Sequence, residues 1–166
     1  MPVQIDTFAT RRHLPHLEKR GKSYFVTFST IGRRILSSEA RTIVLTCCVH
    51  DHDRTYCLEC AVVMPDHVHM VFTPYEMWTM PLIMKRVKGN SARLINAYLG
   101  RRGAFWEEES FDRILRGHEQ LRKKAEYVCQ NPVSEGLADT PDEYPWIWRL
   151  WIEGGQAGLP VLHRSV

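Results

Sequence analysis

The sequence lacks any long hydrophobic run, and no stretch approaches the roughly 20 apolar residues that a membrane-spanning helix needs. It contains no internal repeat, low-complexity tract or linker that would divide its 166 residues. Charge of neither sign dominates, because 22 Lys and Arg stand against 19 Asp and Glu. A net charge of +3 permits a nucleic-acid partner but does not by itself argue for one. We therefore expect one soluble domain over residues 1–166.

Cysteine is scarce and odd in number, with five residues in the chain. The first residues lack the basic, apolar and small-residue layout of a signal peptide, so we expect reduced thiols and a cytoplasmic location. Cys57 and Cys60 form one Cys-x-x-Cys pair, but no second pair follows at zinc-finger spacing. On a predicted strand these two thiols would face opposite sides. The polar residues at 50–53 are typical of a turn as well as of a metal site, and we favour the turn.

Hydrophobic periodicity and turn residues predict an α+β domain. The predicted elements are a strand at residues 24–30, a helix at 37–49, strands at 56–64 and 67–72, a helix at 80–99, a strand within 105–115, and a helix at 117–130 that ends at Asn131-Pro132. This order predicts a ferredoxin-like, split βαβ fold, in which an antiparallel sheet has helices on one face plus an extra C-terminal helix. Residues 1–22 are interpreted as a basic N-terminal arm. Residues 138–166 are interpreted as an aromatic C-terminal tail that packs back on the domain.

His67 and His69 lie two residues apart on one predicted strand. Because strand side chains alternate between faces, both imidazoles point to one side, while Val68 and Met70 point into the core. Two imidazoles on one face can act as adjacent ligands for a divalent ion. A solvated strand face with two polar residues would give the same pattern, so the pair alone leaves both interpretations open.

The last predicted helix carries two stripes of residues at about 100° per residue. Its apolar stripe, which is the natural core side, consists of Leu121, Ala125 and Val128. A second stripe contains Lys124, Tyr127 and Asn131. Tyr127 can act as a nucleophile if a nearby divalent ion polarises the target phosphate, the carboxamide oxygen of Asn131 suits Mg²⁺ or Mn²⁺, and Lys124 can steady the phosphate. A boundary tyrosine and a helix-capping asparagine would fit the same positions.

Taken together, the motifs resemble those of the HUH single-tyrosine transposases, and specifically of the REP-associated tyrosine transposases. The two specific elements are Met-Pro-Asp-His-Val-His at residues 64–69 and Tyr-Val-Cys-Gln-Asn-Pro-Val at residues 127–133, which Gly136-Leu137 follows. Further matching stretches occur in the family's order at residues 12–16, 24–28, 103–106, 111–113 and 144–146. Asp66 stands where many relatives carry Asn, a change that a hairpin turn tolerates.

The resemblance implies a metal-dependent endonuclease and strand transferase that acts on single-stranded DNA during transposition. It implies that Tyr127 attacks a phosphodiester and leaves a 5′-phosphotyrosine and a free 3′-hydroxyl. His67 and His69 would be ligands of Mg²⁺ or Mn²⁺, and Asn131 the third ligand. The implied substrate is hairpin-forming DNA of the palindromic REP type. Since relatives occur both as monomers and as homodimers with shared sites, the oligomeric state stays open.

Basic residues outside these motifs are candidates for contacts to DNA phosphates. They are Arg11 and Arg12 in the arm and Lys85, Arg86, Lys88 and Arg93 on the second predicted helix. A solvated helix face is the default explanation for the second group. Two other functions remain open: a non-catalytic, sequence-specific DNA-binding protein derived from a transposase, and a metal-dependent hydrolase of small phosphoesters. The hydrolase would leave Tyr127 without a role.

Overall fold

The structure is a computed structural model that describes residues 22–151, so the arm before residue 22 and the tail after residue 151 lie outside it. The helices and strands are, in chain order, β1 (Ser23–Ser29), α1 (Ser38–His50), β2 (Tyr56–Val63), β3 (His67–Pro74), α2 (Met80–Leu99), β4 (Phe111–Leu115), α3 (Gly117–Cys129), the one-turn α4 (Asn131–Ser134) and β5 (Ile147–Arg149). Within the described range, no helix is both long enough and apolar enough to cross a membrane.

The five strands form one sheet in the order β4-β1-β3-β2-β5. Every neighbouring pair is antiparallel. The units β1-α1-β2 and β3-α2-β4 each pass over one intervening strand, which is the split βαβ arrangement. The predicted ferredoxin-like fold is confirmed. The edge strand β5 was not predicted, because its three residues are too few to show a period.

Helices cover both faces of the sheet. On one face, α1 and α2 bury a cluster with alternate strand residues such as Val26, Val68 and Met70. On the other, α3 packs on Phe25, Cys60, Val62 and Val71 through its apolar stripe of Leu121, Ala125 and Val128. The predicted core stripe is therefore correct, and the extra helix lies opposite the first two. We call the side of the sheet that α3 covers the α3 face.

A register shift in β2 changes the direction of one cysteine. The pairing with β3 shifts between Leu58 and Cys60, so that Cys57 lies opposite Thr73 and Cys60 lies opposite Val71. Because these two partners are two residues apart on β3, they share a face. Both thiols therefore lie on the α3 face, and the prediction that they face opposite sides was wrong. The bulge inserts one extra residue into β2, so the regular alternation of side chains between the two faces is interrupted there.

The segment before β4 is anchored as a loop instead of extending the strand to residue 105. Phe105 and Trp106 are buried in the core under α2, and the indole of Trp106 donates to Ser91 Oγ at 3.0 Å. The Lys88 ammonium donates to the carbonyl oxygens of Glu107 and Glu108 at 2.7 and 3.0 Å. These contacts hold the loop and leave β4 as a short edge strand.

The described part of the aromatic tail packs back on the domain, as predicted. Tyr144 is buried, and its hydroxyl donates to the Val63 carbonyl oxygen at 2.8 Å. The indole of Trp146 donates to Thr42 Oγ1 at 3.1 Å. β5 then pairs with β2 and forms that edge of the sheet.

Candidate active site

The two histidines of β3 point their Nε2 atoms at each other across 3.1 Å. Their outer nitrogens are held by other groups. His67 Nδ1 lies 2.6 Å from Asp66 Oδ1, and His69 Nδ1 lies 2.7 Å from Thr27 Oγ1. These contacts to the Nδ1 atoms fix the orientation of both rings, and the Nε2 atom of each ring is directed to a common point.

A cross-strand row places this pair on the α3 face. Thr27 of β1 lies opposite His69, and Val62 of β2 lies opposite it on the other side. Phe111 of β4 is the next member, opposite Thr27. The ring of Phe25 stacks on His69 with centroids 5.6 Å apart. This cross-strand row is part of the α3 face of the sheet.

The protonation state of His69 suits metal binding. Burial, together with the smaller electrostatic effects of His67 and Lys124, lowers the pKa of His69 from 6.5 to about 3. The imidazole is therefore neutral at pH 7, as a metal ligand must be. Adjacent ligands of an octahedral ion with bonds of about 2.1 Å lie about 3.0 Å apart, close to the observed Nε2 separation of 3.1 Å. The pair fits a divalent ion.

Asp66 links the histidine pair to a strained turn. Its second carboxylate oxygen, Oδ2, lies 3.1 Å from Arg33 Nε, and Arg33 also donates to Ser29 Oγ at 2.8 Å. Arg33 has a φ of 55°, which is unusual for a residue other than glycine. Carboxylates that hold the outer nitrogen of a ligand histidine fix its orientation and raise its basicity. Sequence reasoning missed Thr27 and Arg33, whose roles depend on strand register and turn geometry.

Tyr127 lies on the same side of the sheet, on the solvent-facing part of α3. Its side chain is 62% exposed. Lys124 lies one turn earlier, with Nζ 5.0 Å from the Tyr127 ring centroid and 4.8 Å from that of Phe25. Because Phe25 in turn stacks on His69, the contacts of Lys124 link Tyr127 to the histidine pair. The fold thus brings the two predicted motifs together.

A groove of about 310 Å³ opens beside Tyr127. It is lined by Arg113, Leu115, Gln120, Lys123, Lys124 and Tyr127. Three of these six side chains are cationic, so the groove suits an anion such as a phosphodiester.

Asn131 begins α4, immediately after the Gln130 that caps α3. Gln130 keeps a right-handed helical backbone, with φ −82° and ψ −12°, so the chain continues to turn in the same sense into Asn131. Asn131 is half-buried. The expected end of the helix is confirmed to within a residue, although the chain resumes a helical turn at Asn131. Asn131 as third ligand stays a prediction.

The basic residues of α2 lie on the helix that covers the opposite face. Arg86 donates to both carboxylate oxygens of Asp51 at 2.9 and 3.2 Å, and Lys88 tethers the loop before β4. Lys85 and Arg93 are exposed. Two of the four thus have structural partners, and contact of any of them with DNA stays a prediction. Arg11 and Arg12 lie outside the described residues.

Comparison with known proteins gives a family. The family model described as "Transposase IS200 like" matches residues 22–131. A solved REP-associated tyrosine transposase bound to a REP hairpin is 18% identical, with a TM-score of 0.63 over 86% of this chain and 94% of that one. A putative transposase from Deinococcus radiodurans R1 is 22% identical, with a TM-score of 0.46 over 67% of this chain and 91% of that one. No curated protein matches the chain. The chain belongs to the IS200-like transposase family.

Proposed function

We propose that this protein is a metal-dependent endonuclease and strand transferase that acts on single-stranded, hairpin-forming DNA through a covalent bond to Tyr127. The single observation that carries the proposal is the placement of an exposed tyrosine and two converging imidazoles on one face, joined by Lys124 and Phe25. Membership of a transposase family supports it. The REP hairpin bound to the structural neighbour supports this kind of DNA substrate.

The reaction is an exchange of one phosphate ester for another. The phenolic oxygen of Tyr127 bonds to phosphorus while the bond from phosphorus to the 3′ oxygen breaks. The phenol loses a proton and the 3′ oxygen gains one, so the products are a 5′-phosphotyrosine and a free 3′-hydroxyl. Because the ester bond is kept, the reverse step can join strands without an external energy source.

The other residues act by position and charge. His67 and His69, with Asn131 as third ligand, would hold a divalent ion that polarises the phosphate and neutralises its developing charge. Asp66 and Thr27 keep both imidazoles turned toward that point. The Lys124 ammonium, beside the Tyr127 ring, provides a positive charge for the phosphate that approaches the phenol.

The open surface around Tyr127 favours a polymer over a small phosphoester. Tyr127 lies on an exposed helix surface, and the neighbouring groove extends along α3 and β4. Small substrates are generally enclosed by their sites, whereas a DNA strand needs an accessible, cationic path. A hydrolase of small phosphoesters would also leave the exposed tyrosine unused.

The test is a covalent-adduct assay. The protein is incubated with end-labelled, single-stranded DNA that forms a hairpin, in the presence of Mn²⁺ or Mg²⁺, and adducts are separated on a denaturing gel. We expect an adduct with the wild type and none with Tyr127→Phe or His69→Ala. Tyr98→Phe is the matched control, because Tyr98 is a similarly exposed tyrosine, 54% accessible, on α2.

Two results would reject the proposal. An adduct that persists in Tyr127→Phe would show that another group is the nucleophile. Binding of the same hairpins without any adduct or cleavage, with either ion, would favour the non-catalytic DNA-binding alternative.

A further inference from the structure

We infer that β4 forms a base-stacking site for single-stranded DNA beside the catalytic pair, with Phe111 as the stacking platform and Arg113 as a phosphate contact. The inference rests on the proposed function for the identity of its ligand. It adds a substrate-binding site on a strand that supplies none of the proposed catalytic or metal-binding residues.

Phe111 is an aromatic residue that is not part of the hydrophobic core. It lies on the edge strand β4 with 60% of its surface exposed. Its ring touches Phe25 edge-on, with centroids 6.0 Å apart. In the cross-strand row it is separated from His69 only by Thr27, and two strand spacings amount to about 10 Å. A base stacked on Phe111 would therefore lie close to the phosphate that His69 faces.

Arg113 extends this surface toward the groove beside Tyr127. It is two residues after Phe111, so both side chains are on the α3 face, and it lies opposite Phe25. Within residues 22–151, no carboxylate pairs with Arg113 or with Lys124. Lys123, also on the groove, pairs with Glu119 in a highly exposed contact along the helix. Such surface pairs are weak, so a DNA phosphate can replace Glu119.

The combination of groups selects a single strand. Exposed aromatic rings next to a cationic groove bind single-stranded nucleic acid, because every base offers a flat face for stacking. In a duplex those faces are covered by neighbouring bases. Since β4 is an edge strand and Phe111 is largely exposed among residues 22–151, an approaching nucleotide can reach its ring from the side. Three cationic side chains in one groove complement the phosphate backbone.

Stacking can be measured without cleavage. Full-length Tyr127→Phe protein is titrated with hairpin DNA whose single-stranded flank carries 2-aminopurine at successive positions. We expect quenching at a flank position, with Phe111→Leu removing that quenching and weakening binding about 5-fold to 100-fold. Phe111→Trp should retain both. Arg113→Gln should lower the slope of log affinity against log salt by about 0.7.

The matched control is Ile114→Ala, which alters an exposed apolar residue on the other face of the same strand and should leave quenching and affinity unchanged. Unchanged binding and quenching in Phe111→Leu would overturn the inference. Equal competition by blunt duplex DNA or by polyglutamate would also overturn it, since neither offers free base faces. Because these titrations need no nucleophile, failure of the adduct assay would reject the proposed reaction and leave the stacking result to stand by itself.

Discussion

The buried imidazole of His69 should make the metal-free protein sensitive to acid. Burial lowers the pKa of His69 from 6.5 to about 3, so at pH 5 the unfolded chain binds a proton that the folded chain rejects. Stability from this group is complete above pH 6.5 and is lost as the pH falls toward 3. Each pH unit below the ordinary value costs about 1.4 kcal/mol. At pH 5 we expect a loss of about 2 kcal/mol.

Urea unfolding in a chelating buffer at pH 7 and pH 5 measures this loss. Wild type should lose about 2 kcal/mol more than His69→Gln between the two pH values, because glutamine does not titrate. Thr27→Val is the control: it removes the hydrogen bond to His69 but keeps the imidazole buried, so it should keep the wild-type pH dependence. Equal losses in wild type and His69→Gln would refute the reasoning, because they would show that the folded protein accommodates a charged imidazole.

Two further predictions concern the groups around the site. Asp66→Ala should weaken Mn²⁺ binding about 10-fold to 100-fold in a calorimetric titration, whereas Asp66→Asn keeps an accepting oxygen and should bind more tightly than Asp66→Ala; wild-type affinity in Asp66→Ala would contradict the role of the carboxylate. Leu121→Ala should lower the free energy of unfolding by about 2–5 kcal/mol, because Leu121 is 2% exposed where α3 meets the sheet. Leu137→Ala, at a site 43% exposed, should change it by less than about 0.5 kcal/mol, and a similar value for Leu121→Ala would show that α3 is not firmly docked.

Local periodicity was sufficient to predict most elements and the direction of the site residues. The two-residue periodicity of a strand places His67 and His69 on one side of β3. The 3.6-residue periodicity of a helix separates Tyr127 from the apolar stripe of α3. Neither periodicity specifies which face of the sheet α3 covers, because both faces of β2 and β3 carry apolar residues. That choice depends on packing between elements distant in sequence.

Features set by register or backbone strain could not be predicted. Thr27 becomes the partner of His69 only through the alignment of β1 with β3. The bulge after Leu58 has no glycine or proline to mark it. Arg33 reaches Asp66 from a turn in which Gly32 and Arg33 both have positive φ, and although Gly32 permits such a turn, it does not indicate where the arginine side chain will go.

The free-energy cost of burying the histidine pair indicates a function independently of any sequence motif. Every other residue of β3 is buried, and an apolar side chain at position 69 could pack on the α3 face as Val71 does. His69 instead buries two ring nitrogens, which need Thr27 and His67 as partners. Burying polar groups costs free energy that folding alone does not require. Polar arrangements that oppose local stability are typical of functional sites, and this one lies beneath the helix that presents an exposed tyrosine to solvent.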